Sequence, residues 1–359
     1  MAKANYYGLI LAGGRGTRFW PRSRKRHAKQ VLNVAGPRTL IQATVDRLAA
    51  LIPPERIWIL TNDLVRAEIV RQLPEVPPKQ IISEPAQRNT APAIALAAHI
   101  LQSVDPDAVF GVFPSDAIIG QPRKFIKALR TVFKAAVRGD IGVLGIRTRW
   151  PETGYGYIEF PKGTEPGGTE TYPVRRFREK PPLHIAKRYF KAGNYCWNSG
   201  MFFWRPSTVL TEMRKHQPHI ATLIASLPAF GHRTFNKKLT EVFPLCANIS
   251  IDYAVIEQAK NVFGHACEEF GWSDVGSWDA VYDILPHDEN GNAALSELLA
   301  SGSTGNYIDC GKKLVALLGV KDLIIVDTPD ALLIADRSRA QQVGEIVKLL
   351  ETNGREDLL

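Results

Sequence analysis

The chain has 359 residues, 45% hydrophobic and 23% charged, as is typical of a globular protein with one or two domains. No apolar run reaches the roughly 18 to 20 residues of a membrane span, and no N-terminal signal segment is apparent, so we expect a cytoplasmic protein with no membrane partner. The net charge of +9 comes entirely from residues 1–45, which hold nine Lys or Arg and no Asp or Glu, and this local surplus favours a small anionic ligand over a general polyanion surface.

The first predicted element is a buried strand over Tyr6 to Leu11, and it leads into a glycine-rich loop. The loop, residues 13–18, reads GGRGTR, and its three glycines allow a tight bend that presents backbone N–H groups to an anion. Seven cations follow within fifteen residues without one carboxylate: Arg15, Arg18, Arg22, Arg24, Lys25, Arg26 and Lys29.

Three interpretations of this loop compete. A dinucleotide fingerprint fails because Phe19 occupies its third glycine position, and a Walker P-loop fails because no Gly-Lys-Ser/Thr follows. A nucleic-acid patch fits the composition of residues 24–26, but such a patch does not need a strand that ends in glycines. We therefore favour a loop that wraps the phosphates of one nucleotide and predict no nucleic-acid partner.

The pattern G-G-x-G-T-R-x-x-P, with Lys29 eleven residues after Arg18, resembles the signature of the sugar-1-phosphate nucleotidylyltransferases. The Trp-Pro-x-Ser-Arg-Lys continuation resembles the mannose-1-phosphate guanylyltransferase branch, although Ala28 replaces the usual proline. The resemblance implies that Arg18 and Lys29 are catalytic. It also implies a nucleotide-binding set of Leu11, Ala12, Gly13, Gly14, Gly16 and Thr17.

Helices and strands alternate through the next part of the chain. The patterns predict helices over 39–51, 63–73, 90–103 and 125–137, and strands over 56–61, 80–83, 108–113 and 141–145. This alternation predicts an α/β fold with a Rossmann-like mixed, mainly parallel sheet. Ligands of such sheets lie beyond the carboxyl ends of the strands.

The segment E-P-x-x-R-N-T-A-P-A-I begins at Glu84, directly after a predicted strand. It resembles the guanylyltransferase pattern at almost every position, which implies that Glu84, Asn89 and Thr90 face the nucleotide. From the residues alone, Thr90 is also expected to cap the helix that follows.

Two aspartates follow strands about 160 residues apart. Asp116 lies in a Pro-Ser-Asp-Ala segment, with Ala117 where relatives commonly have His, and Asp274 lies in Trp-Ser-Asp-Val-Gly. The resemblance implies that Asp116 and Asp274 bind a shared Mg²⁺, an ion that takes few protein ligands and leaves positions for phosphate oxygens.

Three further segments resemble the sugar-phosphate-binding segments of the family, in family order. They imply a sugar-phosphate site of Gly156, Glu179, Lys180 and Asn198. Asp252 lies in another family-like segment, but we interpret it mainly as a residue that begins a helix.

Residues 286–292 are polar and turn-rich, and they predict a boundary between a catalytic domain over 1–285 and a C-terminal segment over 286–359. Short strands in this segment resemble the left-handed β-helix of the family, and a final helix from Ser338 carries an apolar stripe. The stripe is either a homodimer surface, which we expect, or a surface that packs on the chain's own catalytic domain.

The resemblance spans nearly the whole chain and implies transfer of GMP from GTP to α-D-mannose 1-phosphate. Two alternatives remain. The chain is a related nucleotidylyltransferase that uses another base or another sugar 1-phosphate, or it is a non-catalytic regulator that binds nucleotide sugars.

Overall fold

The computed structural model describes residues 5–34 and 36–359, which form eighteen strands and ten α-helices. The strands are β1 Tyr6–Leu11, β2 Ile57–Thr61, β3 Ile81–Ser83, β4 Val109–Pro114, β5 Ile118–Ile119, β6 Ile141–Arg147, β7 Tyr157–Glu159, β8 Tyr172–Pro173, β9 Arg176–Arg178, β10 Tyr195–Trp204, β11 Val262–Ala266, β12 Trp272–Ser273, β13 Ala293–Ala294, β14 Leu298–Ser301, β15 Tyr307–Asp309, β16 Val315–Leu318, β17 Leu323–Asp327 and β18 Leu332–Asp336. The helices are α1 Leu40–Ala49, α2 Asp63–Gln72, α3 Thr90–Val104, α4 Pro122–Arg138, α5 Leu183–Ala192, α6 Pro206–His216, α7 Pro218–Ala225, α8 Phe235–Val242, α9 Trp278–Tyr282 and α10 Val343–Thr352.

The main sheet has the strand order β3-β2-β1-β4-β10-β6-β11-β8, with β7 and β9 attached beside β10. Strands β3, β2, β1 and β4 are parallel, whereas β10 runs antiparallel to both β4 and β6. The predicted mixed α/β sheet is therefore confirmed. Its parallel half places the ends of β1, β3 and β4 at one edge, where a ligand site is expected.

Helices cover both faces of the sheet because its strands are apolar on both sides. Leu9 of β1 faces one core, built with α3, α6 and α7, and its neighbour Ile10 faces a second core, built with α1, α2 and α4. This alternation is that of a central strand whose two faces are both buried.

Local capping explains where several helices begin. Thr39 and Gln42 form a capping box at the start of α1, as each side chain accepts a hydrogen bond from the other residue's backbone N–H. For α3 the predicted cap was wrong: Asn89 is the N-cap and Thr90 is the first helical residue. The Asn89 side chain accepts from the Thr90 N–H, which leaves the Thr90 hydroxyl free to bond elsewhere.

A third core joins the C-terminal segment to the signature loop. It contains Phe19, Trp20, Trp278, Tyr307 and Val347, all buried. The Trp278 indole N–H donates to the Trp20 carbonyl at 3.1 Å, and the Trp20 indole N–H donates to the carbonyl of Leu358 at 3.0 Å. Both indoles thus satisfy their polar atom while burying their rings.

The C-terminal segment is β-helix-like, as expected. Strands β13, β15 and β17 pair in parallel, β14 and β16 form a second parallel pair, and β18 closes the first sheet antiparallel to β17. The last helix begins later than predicted, because Arg337–Gln342 forms a 3-10 helix before α10.

The apolar stripe of α10 packs on its own chain. Val343 and Val347 are buried in the third core, and Leu350 packs against it. The intramolecular alternative therefore accounts for this stripe. A homodimer would have to use another surface, and it stays a prediction.

No helix in the described part of the chain has the length and apolar character needed to cross a membrane.

If the third core holds the C-terminal segment against the signature loop, a charged side chain buried in this core should disrupt the packing between them. We expect Val347→Asp to lower the free energy of unfolding by more than about 3 kcal/mol, because it buries an unpaired carboxylate. Leu349→Asp is the matched control, since Leu349 is 57% exposed on the same helix, and it should change stability little. Equal denaturant midpoints for the two variants would contradict this packing.

Candidate active site

A cleft of about 560 Å³ opens at the carboxyl ends of the parallel strands. It lies where β1 ends at Leu11, where β4 ends at Pro114 and where Glu84 follows β3. Nine residues predicted to be functional line it: Leu11, Gly13, Gly14, Gly16, Lys29, Glu84, Asn89, Thr90 and Asp116. The cleft is thus formed where the topology of the sheet places a ligand.

The glycine loop is shaped by what lies behind it. Gly16 has φ = 63°, and a Cβ at this position would overlap the Cβ of Lys29. Lys29 begins a 3-10 helix, and Ala28 before it has φ = −67°, the value that a proline ring would impose. The backbone at Ala28 is therefore compatible with the proline that the family pattern has at this position.

Lys29 lies at the centre of the site and is buried. Its ammonium group donates to Asp116 Oδ2 at 2.8 Å and to the backbone carbonyl of Asp274 at 3.0 Å. A buried cation needs such partners because desolvation is costly. One side chain therefore connects the signature segment with both predicted metal-binding aspartates.

A two-stranded ladder brings these aspartates together across the sequence. Strand β5 pairs antiparallel with β12, and Ser273 lies opposite Ile118. Asp274 and Asp116 lie just beyond this ladder, and Asp274 Oδ1 accepts from the Tyr155 hydroxyl at 2.9 Å. Both carboxylates keep acceptor positions for a further ligand.

Arg18 does not line the cleft, and its guanidinium and the carboxylate of Asp274 both lie near Gly276. A Cβ placed on Gly276 would lie 3.2 Å from Asp274 Oδ2 and 3.5 Å from Arg18 Nη1. A side chain at position 276 would therefore crowd both groups. Within residues 5–34 and 36–359, no three His, Cys, Asp or Glu side chains form a group that could hold a metal.

The carboxyl group of Glu84 packs over the glycine loop. Its Oε2 lies 3.1 Å from the position that a Cβ on Gly13 would take. Burial raises the pKa of Glu84 to about 8, which favours the protonated form of this carboxyl group near pH 7.

The start of α3, at Asn89 and Thr90, connects this edge of the sheet with a segment that is distant in the sequence. The Thr90 hydroxyl accepts from the Ile251 N–H at 2.8 Å, and the Ala91 N–H donates to the Ile249 carbonyl. These two bonds place Asp252, the next residue, on the wall of the cleft.

The predicted sugar-phosphate residues form a cluster around Asp252. Asn198 donates from its amide to Asp252 Oδ1 at 2.9 Å, and Gly156 leaves room for Glu179 Oε2, which a Cβ there would overlap. Lys180 bonds Glu179 Oε1 at 3.1 Å. Glu179 Oε2 is buried with no hydrogen-bond partner in the described part of the chain, which is rare for a buried polar atom.

The carboxyl groups of this cluster have raised pKa values. Burial, and then the charge of Asp252, raise the pKa of Glu179 to about 7. Burial also raises the pKa of Asp252. Backbone strain accompanies the site, since Asn89, Lys180 and Val275 adopt positive φ of 65°, 43° and 43°, and such conformations concentrate at functional positions.

Eight predicted residues do not line the cleft itself: Ala12, Thr17, Arg18, Gly156, Glu179, Lys180, Asn198 and Asp274. Ala12 lies beneath it, with its N–H bonded to Leu60 and its carbonyl bonded to Gln30 and Thr61. Asp274 is connected to the cleft through Lys29, and Asn198 is connected to it through Asp252. Their roles stay predictions.

The structure corrects the interpretation of the N-terminal charge surplus. Four cations of the segment pair with carboxylates of the C-terminal segment rather than facing the cleft. The pairs, at 2.5 to 2.7 Å, are Arg15 with Glu351, Arg22 with Asp309, Arg24 with Asp330 and Lys25 with Glu356. These charges join one part of the chain to another, and the absence of a nucleic-acid partner stays a prediction.

Sequence reasoning missed two residues of the site. Asp252 does begin a single-turn π-helix, but its carboxylate also lines the cleft, and its place in a family-like segment was the available signal. Tyr155 bonds Asp274, and its own segment, next to Gly156, gave no sign of that partner 119 residues away.

Comparison with known proteins agrees with this geometry. Residues 7–291 match the nucleotidyl transferase family, and residues 299–350 match the MannoseP isomerase/GMP-like beta-helix domain.

Curated relatives align over almost all of the chain and three quarters of their own length. A putative mannose-1-phosphate guanylyltransferase of Vibrio cholerae is 38% identical over 97% of this chain and 75% of the relative. The mannose-1-phosphate guanylyltransferase RfbM of Salmonella typhimurium is 39% identical over 98% of this chain and 74% of the relative. A crystal structure described as mannose-1-phosphate geranyltransferase, from Thermus thermophilus, superposes with a TM-score of 0.84 at 32% identity, covering 97% of this chain and 99% of that one.

The packing of Gly16 on Lys29 predicts a sharp difference between two glycines of the loop. Gly16→Ala should destabilise the fold by at least about 1 to 2 kcal/mol, because it forces a left-handed φ on alanine and displaces Lys29. Gly14→Ala is the control, since a Cβ there meets nothing within 4 Å. Thermal unfolding measured without ligand should separate the two variants. A Gly16→Ala protein as stable as Gly14→Ala would contradict the arrangement of Lys29.

Proposed function

The chain belongs to the nucleotidyl transferase family, and on that premise we propose that it transfers GMP from GTP to α-D-mannose 1-phosphate, giving GDP-mannose and pyrophosphate. The identity of the relatives named mannose-1-phosphate guanylyltransferase, 37 to 39% over nearly the whole chain, supports this choice.

The observation that carries the proposal is the composition of one cleft. A glycine loop with Glu84 packed on it adjoins Lys29 and Asp116, and the same cleft reaches Asp252 and its carboxyl neighbours. A nucleotide with its phosphates and a polyhydroxylated phosphate ester would therefore find complementary groups side by side.

The chemistry requires positioning more than proton transfer. A phosphate oxygen of the sugar 1-phosphate attacks the α-phosphorus of GTP, and the bond from this phosphorus to the oxygen of the leaving pyrophosphate breaks. The nucleophile is largely ionised at neutral pH, since a phosphate monoester has its second pKa near about 6. A general base is therefore unnecessary, and alignment and charge stabilisation remain for the protein to supply.

The chain's own residues divide this task. Arg18 and the N–H groups of the glycine loop bind the leaving β- and γ-phosphates. Lys29 stabilises charge near the α-phosphate, from a position held by Asp116, and Lys180 holds the incoming phosphate. Preorganised donors of this kind act where charge develops in the transition state.

The proposal includes Mg²⁺ as cofactor, held by Asp116 and Asp274. The donor set fits, because two carboxylates supply hard oxygen ligands and Mg²⁺ commonly takes one or two carboxylates plus substrate phosphates. When bound, the ion would neutralise phosphate charge and polarise phosphoryl oxygens.

The sugar subsite is assigned to the buried carboxyl cluster. The unpartnered Oε2 of Glu179 and the carboxylate of Asp252 accept hydrogen bonds from sugar hydroxyls, and Asn198 orients Asp252 through its amide. Buried acceptors that lack a partner in the free protein reject ligands that leave them unsatisfied.

A substrate matrix tests the function directly. Pyrophosphate release should be fastest with GTP and mannose 1-phosphate among four nucleoside triphosphates and several sugar 1-phosphates, and excess chelator should abolish it. Asp116→Asn and Asp274→Asn should each lower Mg²⁺-dependent turnover, with a double-mutant effect far from additive. A different preferred pair, or full turnover in chelator, would overturn the corresponding part of the proposal.

Glu84 should read the guanine base, and the raised pKa makes this testable. Guanine's N1–H and N2 amino group are adjacent donors that an ionised carboxylate accepts together, whereas adenine has no such pair. Binding GTP therefore favours the ionised form, and the GTP-over-ATP preference in kcat/KM should rise as pH increases from 6 to 8. The ratio cancels the titration of the triphosphate, which both nucleotides share.

The variant Glu84→Gln should lose this pH dependence and about 1 to 3 kcal/mol of guanine preference. It should also be more stable than the parent at high pH. A carboxyl group whose pKa is raised from 4.5 to about 8 by folding stabilises the folded state least once pH exceeds 8. An unchanged GTP-over-ATP ratio in the variant would assign base recognition to other groups.

A further inference from the structure

Arg18 differs from the other paired cations of the signature segment in the chemistry of its partner. Arg15, Arg22, Arg24 and Lys25 each bond a carboxylate of the C-terminal segment. Arg18 Nη1 donates instead to the amide oxygen of Gln341, at 2.5 Å, and Gln341 belongs to the 3-10 helix before α10. Its C-terminal partner is thus neutral where theirs are anionic.

The 3-10 helix that contains Gln341 and the start of α10 pack closely against the glycine loop. A Cβ on Gly344, three residues later, would lie 3.3 Å from the Thr17 hydroxyl and 3.9 Å from Arg18 Cγ. The first turn of α10 therefore lies against Thr17 and the stem of Arg18, and Gln341 reaches the guanidinium at its far end.

We propose that Gln341 is a positioning residue that orients the Arg18 guanidinium toward the leaving phosphates without neutralising it. The inference rests on the proposed function, because it concerns the role of Arg18 in that reaction. The C-terminal segment, through Gln341, then contributes to the phosphate subsite although it supplies no group that touches substrate.

The reason for an amide at this position is electrostatic. A carboxylate would bond Arg18 more tightly, but its negative charge would oppose the attraction that Arg18 exerts on phosphate. A glutamine oxygen accepts one N–H and adds no charge. Arg18 keeps four of its five N–H donors and its full positive charge for the ligand.

The test compares two neighbouring glutamines. Gln341→Glu places a carboxylate on Arg18, and Gln341→Ala removes the hydrogen bond. Gln342→Glu is the matched control, because Gln342 is also exposed and accepts from Arg339 rather than Arg18. It adds the same charge one residue away.

Two readouts are needed: steady-state kinetics with the best substrate pair, and calorimetric binding of inorganic tripolyphosphate to the full chain. We expect Gln341→Glu to weaken tripolyphosphate binding and to lower kcat/KM for the nucleotide about tenfold or more. Gln341→Ala should lower kcat while leaving KM for the sugar phosphate unchanged. The control should stay within about twofold, and all three melting temperatures should match the parent.

A double-mutant cycle separates positioning from structure. In an Arg18→Gln background, Gln341→Glu should have no further effect, because its partner is gone. Parent-like binding and turnover by Gln341→Glu, or an equal loss in the Arg18→Gln background, would overturn the inference. Failure of the proposed function is distinguishable, since it would show as no turnover by the parent with any substrate pair, while tripolyphosphate binding still reports on Gln341.

Discussion

The rest of the site depends on the hydrogen bonds that the ammonium group of Lys29 makes. It is buried between Asp116 Oδ2 and the carbonyl of Asp274, and so joins three segments from distant parts of the sequence. A cation in such a place is stable only if every segment that satisfies it is in position. The left-handed Gly16, the β5–β12 ladder and the end of β4 are each explained by the space and the partners that this side chain requires.

The ionisation of the carboxyl groups in and around the cleft depends on how deeply each one is buried. Near the glycine loop, cations lie close to carboxylates that are exposed to solvent or bonded to a partner. At Glu84, burial raises the carboxyl pKa to about 8. At Glu179, burial and the charge of Asp252 raise it to about 7 although Lys180 bonds the same carboxyl group. The cleft and its surroundings thus contain two carboxyl groups, Glu84 and Glu179, whose ionisation a ligand can change.

The sequence predicted the elements of the sheet and most of the cleft because those signals are local. A strand that ends in glycines and an apolar helix after Asn89 can be recognised within a few residues. The partners of Arg15 and Lys25 could not be predicted, since they lie more than 330 residues away. Nothing in the sequence around a surface cation indicates which carboxylate it will pair with. Asp252 was placed in its helix correctly, but the turn that brings its carboxylate to the cleft depends on a bond to Thr90.

The hydrogen bond from Trp20 to Leu358 spans 338 residues of the sequence. During synthesis the signature loop leaves the ribosome early, yet the groups that cover Trp20 and pair with Arg24 and Lys25 are made only after more than 300 further residues. Contacts of such separation form late, because a long loop must be closed first. Nascent chains would therefore carry an unshielded, strongly basic loop for most of their elongation, and this signature loop would reach its final form only after residue 358 has been added.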